Sequence, residues 1–211
     1  ELAEDVISLN PREDRLATII EFTIAPDGSI KEKDVYQGIV NSRAKLDYAS
    51  VGAWLEGRGE PSPAMLQDPE ILDSLKLQDE AAKRLEIASE RNGALNFESS
   101  EVRIKVKDGD AVGFAVGEKN SATTLVEKCM VNSNTVMDLT LRDKGMDTLQ
   151  RVVVEPEKWD QIQQLATEHG GKLPGKPDGP ALRKFLDAQK KKNPEEYANL
   201  SFSVIKLIGR G

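Results

Sequence analysis

One cysteine and one histidine are all that this chain of 211 residues carries of the two residue types behind disulfides, thiolate metal sites and imidazole chemistry. Cys129, standing alone, excludes an internal disulfide framework and a thiolate zinc site. His169 alone excludes any chemistry that needs two imidazoles, the two-histidine metalloprotease motif included. No apolar run approaches the ~18 residues a membrane helix needs, so no spanning segment is expected. The opening Glu1-Leu2-Ala3-Glu4-Asp5 has neither a basic stretch nor an apolar one, so no secretory signal is visible. A cytoplasmic location is the expectation.

What is present reads as a folded chain. Hydrophobic residues make up 38% and charged residues 31%, too balanced for intrinsic disorder. The length suits one core with a helical annex. A net charge of −7 argues mildly against nucleic acid, but the charge is unevenly placed. Segment 171–192 is basic, with Lys172, Lys176, Arg183, Lys184, Lys190, Lys191 and Lys192 against Asp178 and Asp187. Segment 68–90 is acidic. Such a chain can still bind a polyanion locally, although two solvated helix faces would give the same runs.

Arg15 to Ile24 and Ile30 to Val40 read as strands joined by the turn Pro26-Asp27-Gly28-Ser29. Asp47 is placed to cap a short helix that buries Val51, Trp54 and Leu55, and 57–63 reads as a loop. A longer helix is predicted from Pro69 to Asn92, with an apolar stripe of Ile71, Leu75, Ala82 and Leu85 and a stop at Gly93. Glu101 to Lys107, the turn Asp108-Gly109-Asp110, and Val112, Phe114 and Val116 predict a second hairpin.

A helix from Ala122 to Leu139 follows, with one wide apolar face of Leu125, Val126, Cys129, Met130, Ser133, Val136 and Met137. Arg151 to Val154 reads as a short strand, and Pro156 as the first residue of a helix running through Trp159, Ile162 and Leu165 to Gly170-Gly171. After the loop 174–180, Leu182, Phe185 and Leu186 mark another helix. Asn193 is placed to cap a last one, through Tyr197, Leu200, Val204 and Leu207 to Gly209. The class is α+β, with mixed sheets and hairpins flanked by helices and a helix-rich second half.

Residue chemistry points to no catalytic machinery. Gly57-Arg58-Gly59 and the glycines at 113 and 117 lack the spacing of a phosphate loop. The tight acidic spacings are Glu4-Asp5, Glu13-Asp14, Asp108-x-Asp110 and Glu195-Glu196, and Asp108 and Asp110 sit at a hairpin tip, where aspartate is a common turn former. Cys129 on an apolar helix face packs as a small hydrophobe, and His169 suits the last turn of its helix.

The order of short motifs is more telling. Ser8-Leu9-Asn10-Pro11-Arg12-Glu13-Asp14-Arg15-Leu16-Ala17 resembles the Ser-Leu-x-Pro-x-x-x-Arg-Leu-Ala stretch of the ribonuclease II / ribonuclease R (RNB) family, and Gly28-Ser29-Ile30 the turn after it. Ser42-Arg43-Ala44-Lys45-Leu46-Asp47-Tyr48-Ala49-Ser50-Val51 is similar to the family's Ser-x-x-Arg-Leu-Thr-Tyr-x-x-Val. Gly93-Ala94-Leu95-Asn96-Phe97-Glu98-Ser99-Ser100-Glu101 matches Gly-Ala-Leu-x-Phe-x-x-x-Glu without a gap. Leu125 to Asn134 is similar to the helix Leu-Ile-Glu-Glu-x-Met-x-x-Ala-Asn, and Leu149 to Pro156 to Leu-x-Arg-x-His-x-x-Pro. Three departures stand out: Lys128 replaces the second glutamate, Val153 the histidine and Lys45 an arginine.

The resemblance implies an exoribonuclease that hydrolyses single-stranded RNA from its 3′ end to nucleoside monophosphates, using magnesium held by carboxylates. The family's aspartate cluster precedes the matched region, and its arginine-rich segment follows it. Residues 1–211 are therefore expected to be the central segment of a catalytic domain, with flanking domains, no catalytic or metal-binding residue of their own, and magnesium bound outside the chain.

What the resemblance carries over is contact with RNA. Phe97 matches a phenylalanine that stacks on a base, and a core residue beside Leu95 is the other reading. Tyr48 matches a tyrosine near the RNA end, against a tyrosine packing at a helix start. Glu127 and Lys128 are placed for a ribose 2′-hydroxyl, against a solvated pair. Lysine cannot accept a bond but can donate one or attract a phosphate, so weaker RNA-over-DNA discrimination and more reliance on charge are expected. Two other classes stay open: a non-catalytic RNA-binding or scaffold descendant of the family, and an unrelated α+β enzyme using Asp108 and Asp110.

Overall fold

The computed structural model describes residues 7–95, 97, 101–107, 110–117, 119–150, 152–153 and 155–209. It divides into two compact units, one of residues 1–88 with 119–148 and one of residues 89–118 with 149–211. Among the described residues there are two antiparallel hairpins and seven helices, so the class is α+β with helix predominating in the second half. No helix among them is long and apolar enough to cross a membrane.

In the first unit, β1 (Asp14–Ile24) pairs with β2 (Ile30–Asn41). The register slips between Phe22 and Thr23, leaving Glu32 as the bulged residue at a positive φ. Asp27 accepts hydrogen bonds from the Ser29 backbone and hydroxyl, which closes the turn. Gly28 takes φ +79° there, and a Cβ on it would lie 2.7 Å from the Ala88 Cβ.

Helix α1 (Tyr48–Leu55) starts where the sequence places it, with Asp47 accepting from the Ser50 N–H. The expected loop after it contains a further short helix, α2 (Pro63–Leu66), which buries Met65 completely. That helix has one turn, too short for its periodicity to show in sequence. Helix α3 (Pro69–Arg91) ends one residue before the predicted Asn92.

Helix α4 (Ser121–Asp143) runs a turn beyond the predicted Leu139. Its wide apolar face is only partly buried: Leu125 and Val136 are inside, but Val126 and Met130 are exposed. The predicted stripe spans more of the helix circumference than its neighbours cover. Asn120 caps α4 by accepting from the Thr123 N–H, while the Thr123 hydroxyl accepts from the Asn120 N–H, a reciprocal capping box. The same asparagine donates from Nδ2 to the Tyr48 carbonyl at 2.9 Å. Gly52 lies against it, and a Cβ there would sit 2.6 Å from Asn120 Nδ2. Val51, Met65 and Ala122 form the small core around this junction, with Leu46, Trp54, Leu55, Leu72 and Leu75 against it.

In the second unit, β3 (Glu101–Lys107) pairs with β4 (Asp110–Gly117) as predicted, and the tip residues Asp108 and Gly109 lie outside the described residues. Val152 and Val153 are not in a strand and are exposed, against the predicted strand from Arg151 to Val154, whose two end residues are not described. Pro156 is not the first residue of its helix. The Glu157 and Lys158 N–H groups donate to the Ile208 and Leu207 carbonyls, so a turn there is tied to residues 207–208 and α5 (Trp159–Glu168) starts only at Trp159.

Helices α6 (Gly179–Lys192) and α7 (Pro194–Ile208) meet at Asn193. Asn193 holds the predicted capping position but its side chain makes no cap bond, because the same residue is ending α6. Trp159, Ile162, Ala166, Leu173, Leu182, Phe185, Leu186, Tyr197, Leu200 and Val204 form the larger core.

The Gly52 contact generates a stability prediction whose sign is diagnostic. At an unconstrained helix position, Gly→Ala stabilises by up to about 1 kcal/mol. Gly52→Ala should instead destabilise by about 1–3 kcal/mol, the cost of overpacking, because the amide in its way is held by two partners. Urea denaturation of the two proteins decides it; a gain in stability would show that Asn120 gives way freely.

Candidate nucleic-acid interface

The four residues expected to touch RNA divide between the units: Tyr48, Glu127 and Lys128 belong to the first and Phe97 to the second. Tyr48 is the first residue of α1, anchored through its carbonyl to Asn120 and 49% exposed. Because Asn120 also caps α4, it sets Tyr48 beside the start of the helix that carries Glu127 and Lys128, about two turns along.

Neither Glu127 nor Lys128 stands free in solvent. The Lys128 side chain is only 13% exposed, with its ammonium 3.4 Å from Glu127 Oε1 and 3.9 Å from Glu86 Oε1. Glu127 Oε2 takes a second cation, Lys119, at 2.7 Å, and its side chain stays 41% exposed. Four alternating charges thus run Glu86, Lys128, Glu127, Lys119. Burial pushes the Glu127 carboxyl up, but the Lys119 and Lys128 ammoniums more than offset it and hold it below its ordinary value. The group is an ionised, acceptor-only carboxylate with exposed surface.

Phe97 is half-buried and, with Leu95, packs against the larger core. The turn before it is clamped by Arg183. Its Nη1 donates to the Glu90 carbonyl at 2.7 Å and the Ala94 carbonyl at 2.9 Å, and Nη2 lies 3.0 Å from Glu90 Oε1. Gly93 sits inside that clamp at φ +82°. One guanidinium therefore satisfies the carbonyls that the end of α3 leaves open and sets the start of the Phe97 segment.

Among the described residues, no three His, Cys, Asp or Glu side chains come together in a way that could hold a metal ion. Those residues do not supply the donor set of a magnesium pair. Cys129 is half-buried and its thiol is pushed up by burial, the inert packing residue its helix face suggests. His169 closes α5, with Nδ1 2.9 Å from the Leu165 carbonyl.

The charge runs are not simply solvated faces. Asp79 is buried beside Lys83, Glu86 reaches Lys128, and Arg183 is only 14% exposed. Sequence reasoning missed Lys119, Glu86 and Arg183 as site residues. Asn120 had a legible signal in Asn120-x-x-Thr123, a capping pattern; the other three meet their partners only through folding.

The whole of residues 1–211 matches the model of the RNB domain. Ribonuclease R of Aquifex aeolicus (strain VF5) is 26% identical over 166 residues, covering 78% of this chain and 23% of its own length. Ribonuclease R 1 of Lactococcus lactis subsp. lactis (strain IL1403) is 26% identical over 210 residues, covering 98% of this chain and 25% of its own length. The chain thus spans about a quarter of the curated relatives it matches. Mycoplasma genitalium RNase R, solved in complex with ribose-methylated single-stranded RNA, shares the fold at a TM-score of 0.86 and 20% identity, over 99% of this chain and 32% of that one. With its full length matched, its motifs in order and its fold shared, this chain belongs to the RNB domain family of ribonucleases.

Proposed function

We propose that residues 1–211 are the central segment of the catalytic domain of a cytoplasmic 3′-to-5′ exoribonuclease, which hydrolyses single-stranded RNA to nucleoside monophosphates. The observation that carries this reading is a match to the RNB domain along the whole chain, by a chain only about a quarter as long as its ribonuclease relatives. The carboxylates that hold magnesium belong, in this reading, to flanking sequence. The segment's own part is to hold RNA. Phe97 stacks on a base, Tyr48 lies near the RNA end, and the Glu127 carboxylate accepts a hydrogen bond from a ribose 2′-hydroxyl. Flanking domains complete the polypeptide.

A second reading, a non-catalytic RNA-binding descendant, is favoured by one observation: Lys128 is built into an ion-pair chain where the family motif has a glutamate. Activity separates the two. The 211-residue chain alone, incubated with magnesium and a 5′-labelled single strand, should leave the strand at full length, whereas the full-length protein should shorten it stepwise from its 3′ end. Shortening by the 211-residue chain would move the catalytic carboxylates into it. An inactive full-length protein that still binds RNA would favour the second reading.

Phe97 calls for a substitution that separates stacking from packing. Phe97→Leu keeps an apolar side chain against the core and removes the π face. In the full-length protein it should weaken RNA binding by about 1–3 kcal/mol, with little sequence dependence and little change in melting temperature. Unchanged affinity would make Phe97 a core residue only.

A further inference from the structure

The lysine at position 128 does not face outward, as a phosphate-seeking side chain would. Its side chain is 13% exposed, and its ammonium lies within 4 Å of two carboxylates, 3.4 Å from Glu127 and 3.9 Å from Glu86. Glu127 is the more exposed of the two, at 41% against 29%. The order of charges along this chain of pairs is therefore a partly exposed acid, a shielded cation, and then a more exposed acid that reaches solvent.

We propose that Lys128 is a positioning residue, an internal counter-ion that anchors the Glu127 carboxylate as the acceptor for a ribose hydroxyl. The geometry supports this on three counts. Lys128 meets Oε1 and Lys119 meets Oε2, so both oxygens are restrained. A carboxylate offers about four lone-pair sites, so two cations still leave acceptor capacity on the exposed side. Glu86 balances the second face of the ammonium, so Lys128 is not drawn away toward a phosphate.

Lys128 thus supports discrimination between RNA and DNA instead of eroding it, the opposite of what its charge alone suggests. A deoxyribose cannot donate to Glu127, and a fixed acceptor penalises that loss more than a mobile one. The inference rests on the reading of Glu127 as a ribose contact.

The test is the ratio of RNA to DNA affinity for single strands of one sequence, measured in the full-length protein at several salt concentrations. Lys128→Met should lower that ratio about tenfold, the scale of one hydrogen bond to a charged acceptor. Lys128→Arg should restore most of it, and the salt slope should not change in Lys128→Met, because no phosphate contact is lost. If Glu127→Met, which removes the acceptor where Glu127→Gln would keep one, lowers the ratio but Lys128→Met does not, the positioning role is wrong and the ribose contact stands. If Glu127→Met leaves the ratio unchanged, both are wrong. A salt slope shallower by about one contact in Lys128→Met would make Lys128 a phosphate ligand and overturn the proposal. Should Lys128→Met fail to fold, the pair Glu86→Gln with Lys128→Met removes the ammonium and its second counter-charge together and is read in the same way.

Discussion

Gly52 and Asn120 approach so closely that a single methyl group at position 52 would collide with the asparagine amide. This constraint orders the first unit. The asparagine accepts from Thr123 to start α4 and donates to the Tyr48 carbonyl at the start of α1, so two helix N-termini meet through one side chain. Glu56, the residue after α1, adds a second tie by accepting from the Ser121 N–H at 2.7 Å. One free N–H group at the start of α4 is thus satisfied by a side chain from the end of α1, and another by Asn120, which is itself tied to the start of α1. Tyr48 and the Glu127–Lys128 pair inherit their placement from this junction.

Along α4 the dominant force changes from hydrogen bonding to charge pairing. A lysine as shielded as Lys128 needs compensation, since removing an ammonium from water costs several kcal/mol. Glu86 from α3 and Glu127 from its own helix supply it. The consequence for chemistry falls on Glu127, whose two cationic neighbours keep it ionised despite partial burial. A carboxylate in that state can only accept hydrogen bonds.

The second unit solves a different problem, how to present a segment that immediately follows a long helix. Arg183 satisfies the Glu90 and Ala94 carbonyls with one nitrogen and holds the Glu90 carboxylate with another. Its own helix is fixed by the core, where Leu182, Phe185 and Leu186 pack with Trp159, Ile162 and the α7 residues. The path from core to surface therefore runs through a guanidinium, whose planar fork can serve two carbonyls at once.

The sequence by itself determined the elements that repeat a local pattern. β-Branched residues and the turn Pro26-Asp27-Gly28-Ser29 marked the first hairpin, period-two alternation marked the second, the Asp47 and Asn193 positions marked helix starts, and Gly93 and Gly209 marked ends, because such signals involve neighbours within a turn. The ordered motifs determined the family in the same way. Local pattern failed where distant backbone intervened. Pro156 looks like a helix start, but the bonds from Glu157 and Lys158 to the end of α7 delay the helix to Trp159. It failed again where a side chain's partner lay on another element. Lys128 reads in sequence as an RNA contact or as half of a solvated pair, and only the fold brings Glu86 of α3 to within 3.9 Å of it. Burial and pairing are properties of residues far apart in the chain, so tertiary structure alone decided that this lysine is shielded and that Glu127 remains the exposed acceptor.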